Sequence, residues 1–298
     1  MKVDAIIDPH FHLWDLENFV YPWLCQEGEP AAPIAGSIRP IMRTYLLTDY
    51  EEDSKKWNVV KNVHLDALSA DILAETAWLQ KLRDSSGRPT GIVAHANLEA
   101  PDAEPILAKQ ASYGGTRGIR QILNWHPNPR YTYIQRSDLL TDPLWNKGFK
   151  LLRKYNLLFD LQLYPHQMMD AAKVAMANSE TAVVLNHTGM PLERDADGLK
   201  RWRDGLRALA SSSNVSAKIS GLGMVFPDWT VAGIRTIVLE TIDIFGVDRA
   251  MFASNFPVDK IYSSFDRLYG AFFEIVSAFT ADEQRKLFHD NAERIYRL

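Results

Sequence analysis

Short apolar, β-branched runs recur along the chain, and each is followed by a longer stretch whose apolar positions return every three or four residues. The first pattern predicts strands at 5–12, 58–66, 90–98, 116–123, 157–164, 181–187, 214–220 and 249–255. Several runs are apolar at consecutive positions, as in Thr181-Ala-Val-Val-Leu185, rather than alternating. A strand covered on both faces needs that composition, and it points to a parallel sheet lined by helices. Eight such alternations predict a (β/α)8 TIM barrel formed by residues 1–298 as one domain, with a doubly wound open sheet as the competing arrangement. No repeat, low-complexity tract or long linker divides the chain.

Helix boundaries are marked as well. Thr48 with Glu51, and Thr280 with Glu283, have capping-box spacing. Asp142 before Pro143 supplies an N-cap oxygen and a ring fixed near helical φ. Gly246 is placed to stop a helix over 230–245, and further helices are expected near 70–84 and 198–210.

Composition narrows the function. The charge balance of 33 basic against 37 acidic residues, a net −4, argues against a nucleic-acid partner, which would require a basic surplus. No run of about 18 apolar residues could span a bilayer, and Asp4 and Asp8 interrupt any signal-type apolar core. A lone cysteine, Cys25, fits a reducing, cytoplasmic setting. Self-association into a homo-oligomer is compatible with this composition.

A barrel places its chemistry at the C-terminal ends of the strands. His10 and His12 close the first strand two positions apart, so both imidazoles face one side, where such a pair can bind a divalent metal or move protons. Two histidines satisfied by backbone carbonyls would give the same short motif. His187 closes the sixth strand before Gly189 and Pro191, so a third imidazole can converge with the pair. Asn255 ends the eighth strand, next to the first in a closed barrel. Arg120, Gln162 and Lys218 are the other polar strand ends. Each alone reads as an ion pair or a snorkelling side chain, but together they suggest a small anionic or polyhydroxylated substrate. Asp8 and Asp15 read as structural orienters, and Trp14, Tyr21 and Trp23 as packing or a pocket roof. His64 and His95 lie within strands, His126 opens a Pro-rich loop and His289 falls on the last helix.

The run Asp8-Pro-His-Phe-His-Leu-Trp-Asp15, followed by Tyr21-Pro-Trp23, resembles the opening of the amidohydrolase-2 branch of the amidohydrolase superfamily, closest to its sugar-acid and dicarboxylate lactonases. Gly118-Ile-Arg-Gln121, Asp160-Leu-Gln-Leu-Tyr-Pro165, Asn186-His-Thr-Gly-Met-Pro191, Ser216-Ala-Lys-Ile-Ser-Gly221 and Asn291-Ala-Glu-Arg-Ile-Tyr-Arg297 extend the resemblance over the chain. It implies a distorted barrel that hydrolyses a lactone in carbohydrate or aromatic catabolism. His10, His12 and His187 would hold a divalent zinc or manganese ion, or the site would work without metal. In the family pattern strand eight carries an aspartate that activates water; here Asn255 stands there, and an amide orients a water without taking its proton. Gln162 replaces a histidine many metal-dependent members carry. Asp259 could substitute as base only if the loop after Pro257 folds back. The implied mechanism has Arg120 and Lys218 holding substrate, His10 and His12 polarising the carbonyl, and His187 acting as base. The competing readings are a decarboxylase or lactone isomerase on this scaffold, and a binder without catalysis.

Overall fold

The computed structural model describes residues 5–24 and 37–298; Cys25 lies outside them. Eight parallel strands follow one another around the sheet in chain order. They are β1 (Ile6–Phe11), β2 (Val59–Leu65), β3 (Gly91–His95), β4 (Thr116–Ile122), β5 (Leu158–Gln162), β6 (Val183–Leu185), β7 (Val215–Ile219) and β8 (Ala250–Phe252). The segment after β8 returns to β1, where the Asn255 and His12 amides donate to the His10 and Phe256 carbonyls at 2.8 and 2.7 Å. Those bonds close a TIM barrel, as the alternation predicts.

Helices return the chain outside the barrel: α1 (Leu47–Ser54), α2 (Ile72–Ser86), α3 (Ala103–Ala111), α4 (Pro143–Lys154), α5 (Met168–Ala177) and α6 (Ala196–Ala210). The four-residue α7 (Leu222–Val225) follows β7, and α8 (Val231–Phe245), α9 (Phe265–Ile275), α10 (Ala281–Arg285) and α11 (Asn291–Tyr296) complete the chain. Asp142 caps α4, Gly246 stops α8 at φ 76°, and Thr280 with Glu283 forms the box at α10. The box expected at Thr48 does not form. The N-cap is Leu46, two residues before Thr48, and Asp49 takes the third helical position, where its carboxylate accepts the Leu46 amide at 2.9 Å.

Period-two alternation sorts the barrel interior into layers. Ile7, Val63, Leu65, Val93, Leu158, Val184 and Met251 pack with Ala292 and Tyr296 of α11 into an apolar plug. Above it, β5 continues inward with Asp160 and then Gln162, so the lining turns from apolar to charged to amide toward the mouth. In β1 the register slips between Asp8 and Phe11 against Asn62 and His64, three residues opposing two. This bulge lets His10 and His12 face inward while Asp8 points outward. Asp8 there accepts the Tyr50 hydroxyl at 2.8 Å and the Ser254 hydroxyl and amide at 2.6 and 2.9 Å, a structural staple. Asp15 holds the following turn through the Glu17 amide and the Asn18 side chain.

Candidate active site

A cavity of about 710 Å³, counting its open mouth, lies at the C-terminal ends of the strands. His12, Arg120, Gln162, His187 and Asn255 line it together. Both His187 and Asn255 lie just past their strands rather than within them, and both take positive φ (55° and 56°). Four consecutive residues, His187 to Met190, hold φ between 49° and 71°, of which only Gly189 does so without strain. The His187 ring is fixed from β7: Nδ1 lies 2.9 Å from the Ser220 hydroxyl, and a Cβ at Gly221 would sit 2.4 Å from that nitrogen. With Nδ1 engaged, Nε2 is the nitrogen left to meet the cavity.

The pair on β1 is more constrained. His12 Nδ1 must donate to the Leu65 carbonyl at 2.9 Å, since a carbonyl only accepts, and this leaves a lone pair on Nε2. That lone pair faces His10 Nε2 at 3.3 Å, which therefore carries the proton. Both Nε2 atoms are thus spent on each other, and His10 does not reach the cavity wall. Burial, with the positive charge of Lys218 next, holds His10 well below the ordinary histidine value, and burial with Arg120 pushes His12 down to about 3. Burial, then Lys218 and Arg120, depress His187 likewise, so all three rings are neutral near neutrality. The assignment of His10 and His12 to polarising a carbonyl finds no free donor here.

The metal set expected from the sequence does not form. Among the described residues no three His, Cys, Asp or Glu side chains are arranged to hold a metal ion. The His187 ring packs on the His10 ring at a 44° tilt with centroids 4.6 Å apart. An open zinc site takes three protein ligands.

The cationic groups separate into two levels. Arg120 lines the cavity, where Nε donates to Asp66 Oδ1 at 2.7 Å, NH2 to the Asp66 carbonyl and NH1 to Gln162 Oε1 at 3.0 Å. Three of its five N–H groups are used, leaving two. Burial alone would raise Asp66, but Arg120 and His95 outweigh it and hold the carboxyl below its usual value. Gln162, its oxygen taken by Arg120, keeps an amide NH2 for the cavity. Lys218 does not line the cavity. It is fully buried and ion-paired with Asp160, which also accepts the Tyr296 hydroxyl at 3.0 Å. Burial pulls Lys218 down to about 8 against the pull of Asp160. As the least tolerated charge to bury, it pairs below the site rather than binding substrate.

The loop after Pro257 does fold back. Asn255 Nδ2 donates to Asp259 Oδ2 at 2.6 Å, and the Gly223 amide donates to Oδ1 at 3.2 Å. Asp259 is buried outside the cavity lining, and burial pushes its carboxyl up to about 7 against those two hydrogen bonds. It orients the Asn255 amide, whose oxygen is left toward the cavity.

Asp66, Tyr133 and Met224 also line the cavity and were not among the expected site residues. Asp66 had a signal, since it is the polar last residue of the second expected strand. Tyr133 comes from a long loop without periodicity. Trp23 lines the cavity with its indole bonded to the Ala67 carbonyl, whereas Trp14 and Tyr21 are packed in the core. His64, with Nε2 3.3 Å from the Leu13 carbonyl, is a core residue. His126 packs on Tyr131 and Tyr164, and His289 sits half-buried beside Asp290.

The family model described as Amidohydrolase (Amidohydro_2) matches residues 7–298. The chain belongs to this family. An uncharacterized protein, y4mH of Sinorhizobium fredii, is 45% identical over 99% of both chains. An L-fucono-1,5-lactonase of Burkholderia multivorans is 28% identical to this amidohydrolase-family chain, over 98% of it and 96% of the relative. Solved structures share its fold: a zinc-bound amidohydrolase of Burkholderia multivorans (TM-score 0.81, 24% identity, 99% of both chains) and a 2,6-dihydroxybenzoate decarboxylase of Rhizobium (TM-score 0.60, 12% identity, 100% and 99%). No helix among the described residues of this family member is long and apolar enough to cross a membrane.

Proposed function

We propose that the protein opens a lactone of a sugar acid or small dicarboxylic acid by attack of water at the barrel mouth. The observation that carries this reading is that a neutral His187 and the Asp259-oriented Asn255 line one cavity, together with the spare N–H groups of Arg120 and Gln162. The Burkholderia lactonase at 28% identity supports the reaction class. His187 in its Nδ1–H tautomer donates to Ser220 and accepts a proton from water on Nε2, while the Asn255 oxygen holds the water's second hydrogen. The water oxygen bonds to the carbonyl carbon, and charge developing on the carbonyl oxygen is met by Arg120 and Gln162. The ring C–O bond then breaks, and His187 returns the proton to the ring oxygen, giving a carboxylic acid and a hydroxyl. No step runs through a metal, because among the described residues no three donors are arranged to hold one.

Arg120 is already balanced by Asp66, and much of the cavity wall is apolar, including Ile38, Leu68, Ile122 and Val258. A neutral hydroxylated ring suits this lining better than a second carboxylate, so sugar-acid lactones are favoured. A panel of aldonolactones and dicarboxylate lactones with a pH indicator tests the reading, with products identified by NMR. Acid release with ring opening supports it. An isomerised or decarboxylated product supports the lyase or isomerase reading, which the amide at Asn255 favours because such reactions need no activated water. A thermal shift without any product indicates a binder.

A further inference from the structure

A second cavity, of about 810 Å³ counting its open side, adjoins the first, and Leu68, Ile122 and Tyr133 line both. Leu68 takes φ 61° at this divide, a strained backbone for a residue with a branched side chain. Asp66 links the two sides. Its Oδ1 holds Arg120 in the first cavity, while Oδ2 is fully buried with no hydrogen-bond partner among the described residues. That oxygen lies 3.7 Å from His95 Nδ1, equally unpartnered, and His95 lines the second cavity.

We propose that the second cavity is a subsite for a neutral, hydroxylated extension of the substrate, such as a glycosyl unit joined to the lactone ring. This rests on the lactonase reading and specifies the size of its substrate. His95 Nε2 is 3.1 Å from Asn97 Oδ1, a contact that fixes the ring at the wall of this cavity. Asp66 Oδ2 is a buried acceptor without a hydrogen-bond donor among the described residues, and such an acceptor calls for one. Glu99 adds a second: Oε2 accepts the Gln121 amide at 2.8 Å, leaving its other oxygen to the cavity. Gln121 is fixed in turn by the Leu98 amide and the Trp145 indole, so this wall is built rather than loose. The cation at the rim, Arg136, is engaged by Asp138 and Asp142. A carboxylate would meet the carboxylates of Asp66 and Glu99, whereas sugar hydroxyls donate to both of them. Tyr133, Ile134 and Leu139 supply an apolar face for the ring carbons.

The test compares kcat/KM for monosaccharide aldonolactones with that for their glycosylated counterparts, in wild type and in Asn97→Ala and Glu99→Gln variants. The wild type is expected to favour the glycosylated member of its best pair by about tenfold or more, and each variant to reduce that preference about tenfold, since a site built for hydroxyls discriminates strongly by them. A wild-type preference for the unextended lactone, or variants that leave the ratio unchanged, overturns the proposal. If wild type hydrolyses no lactone, the lactonase reading has failed, and the subsite is read by calorimetry with the corresponding mono- and disaccharide aldonic acids. Tighter binding of the disaccharide acid, weakened in both variants, supports the subsite; equal affinities or no binding overturn it.

Discussion

Asn255 and Asp259 form a buried amide–carboxylate pair, Nδ2 to Oδ2 at 2.6 Å, with Asn255 on the cavity wall and Asp259 behind it. The pair decides what an aspartate at position 255 would do. Asn255→Asp alone brings two carboxylates to hydrogen-bond distance in a desolvated place, so they share one proton and gain little basicity near pH 7. The expected result is lower stability and no gain in kcat. The exchange Asn255→Asp with Asp259→Asn keeps the bond with its polarity reversed and puts a carboxylate on the cavity, and it should recover stability over the single variant. Thermal melts and kcat for wild type, both single variants and the double variant give the coupling. Additive effects would contradict the pair's role.

His187→Ala is expected to reduce turnover by about 10²–10⁴ while the protein stays folded. Burial lowers the pKa of His187, and the neutral ring is the working base, so protonation should abolish activity only well below pH 6.5. The pH dependence of kcat/KM checks this. An acid limb centred at or above pH 6.5 would assign the base elsewhere.

Lys218→Met should destabilise the fold by about 3–5 kcal/mol, because it strands Asp160 without its partner in the barrel interior. Chemical denaturation measures the loss. An unchanged midpoint with a raised KM would return Lys218 to the substrate.

Chelation followed by metal analysis is expected to leave turnover within about twofold of the untreated enzyme, since His10 and His12 satisfy each other and His187 contacts His10 ring to ring. Loss of activity restored by zinc would show that the three rings rearrange around an ion.

Glu75 on α2 is buried, accepts the Ala67 amide at 3.2 Å and is pushed up to about 8 by burial, with Asp66 adding to the shift. Its folded pKa lies above its unfolded one, so between about pH 4.5 and 8 the unfolded chain releases a proton that the folded chain keeps. Its contribution to stability therefore falls as pH rises through that window. Glu75→Gln keeps the acceptor and removes the titration. Its advantage over wild type should grow toward pH 8, to the order of a few kcal/mol. Melting temperatures from pH 5 to 8.5 read the difference, and parallel curves would disprove it.

The alternation of apolar runs was enough to locate all eight strands, because a strand buried on both faces leaves little freedom in composition. The residues at the mouth were legible for the same reason: a polar side chain ending such a run has somewhere particular to go. What each polar group does there was less legible. Lys218 and Arg120 have the same strand-end signature, yet one lies a layer deeper, paired with a carboxylate from β5. The metal set depended on ring orientation, which follows from partners such as Leu65 and Ser220 that are distant in sequence. Asp259 and Tyr133 arrive through loops whose paths no periodicity reveals.

The plug at the base of the barrel bears on how the molecule is made. Tyr296 reaches across 136 residues of sequence to Asp160, whose ion pair with Lys218 lies beneath the catalytic mouth. A ribosome-bound chain that still lacks α11 has the Lys218–Asp160 pair without the tyrosine that completes it and without part of the apolar floor below. The interior of the barrel, and with it the rigid seat of the mouth, is therefore among the last parts to be settled as the chain emerges. Premature stops near the C-terminus should yield chains rich in secondary structure that lack a working pocket.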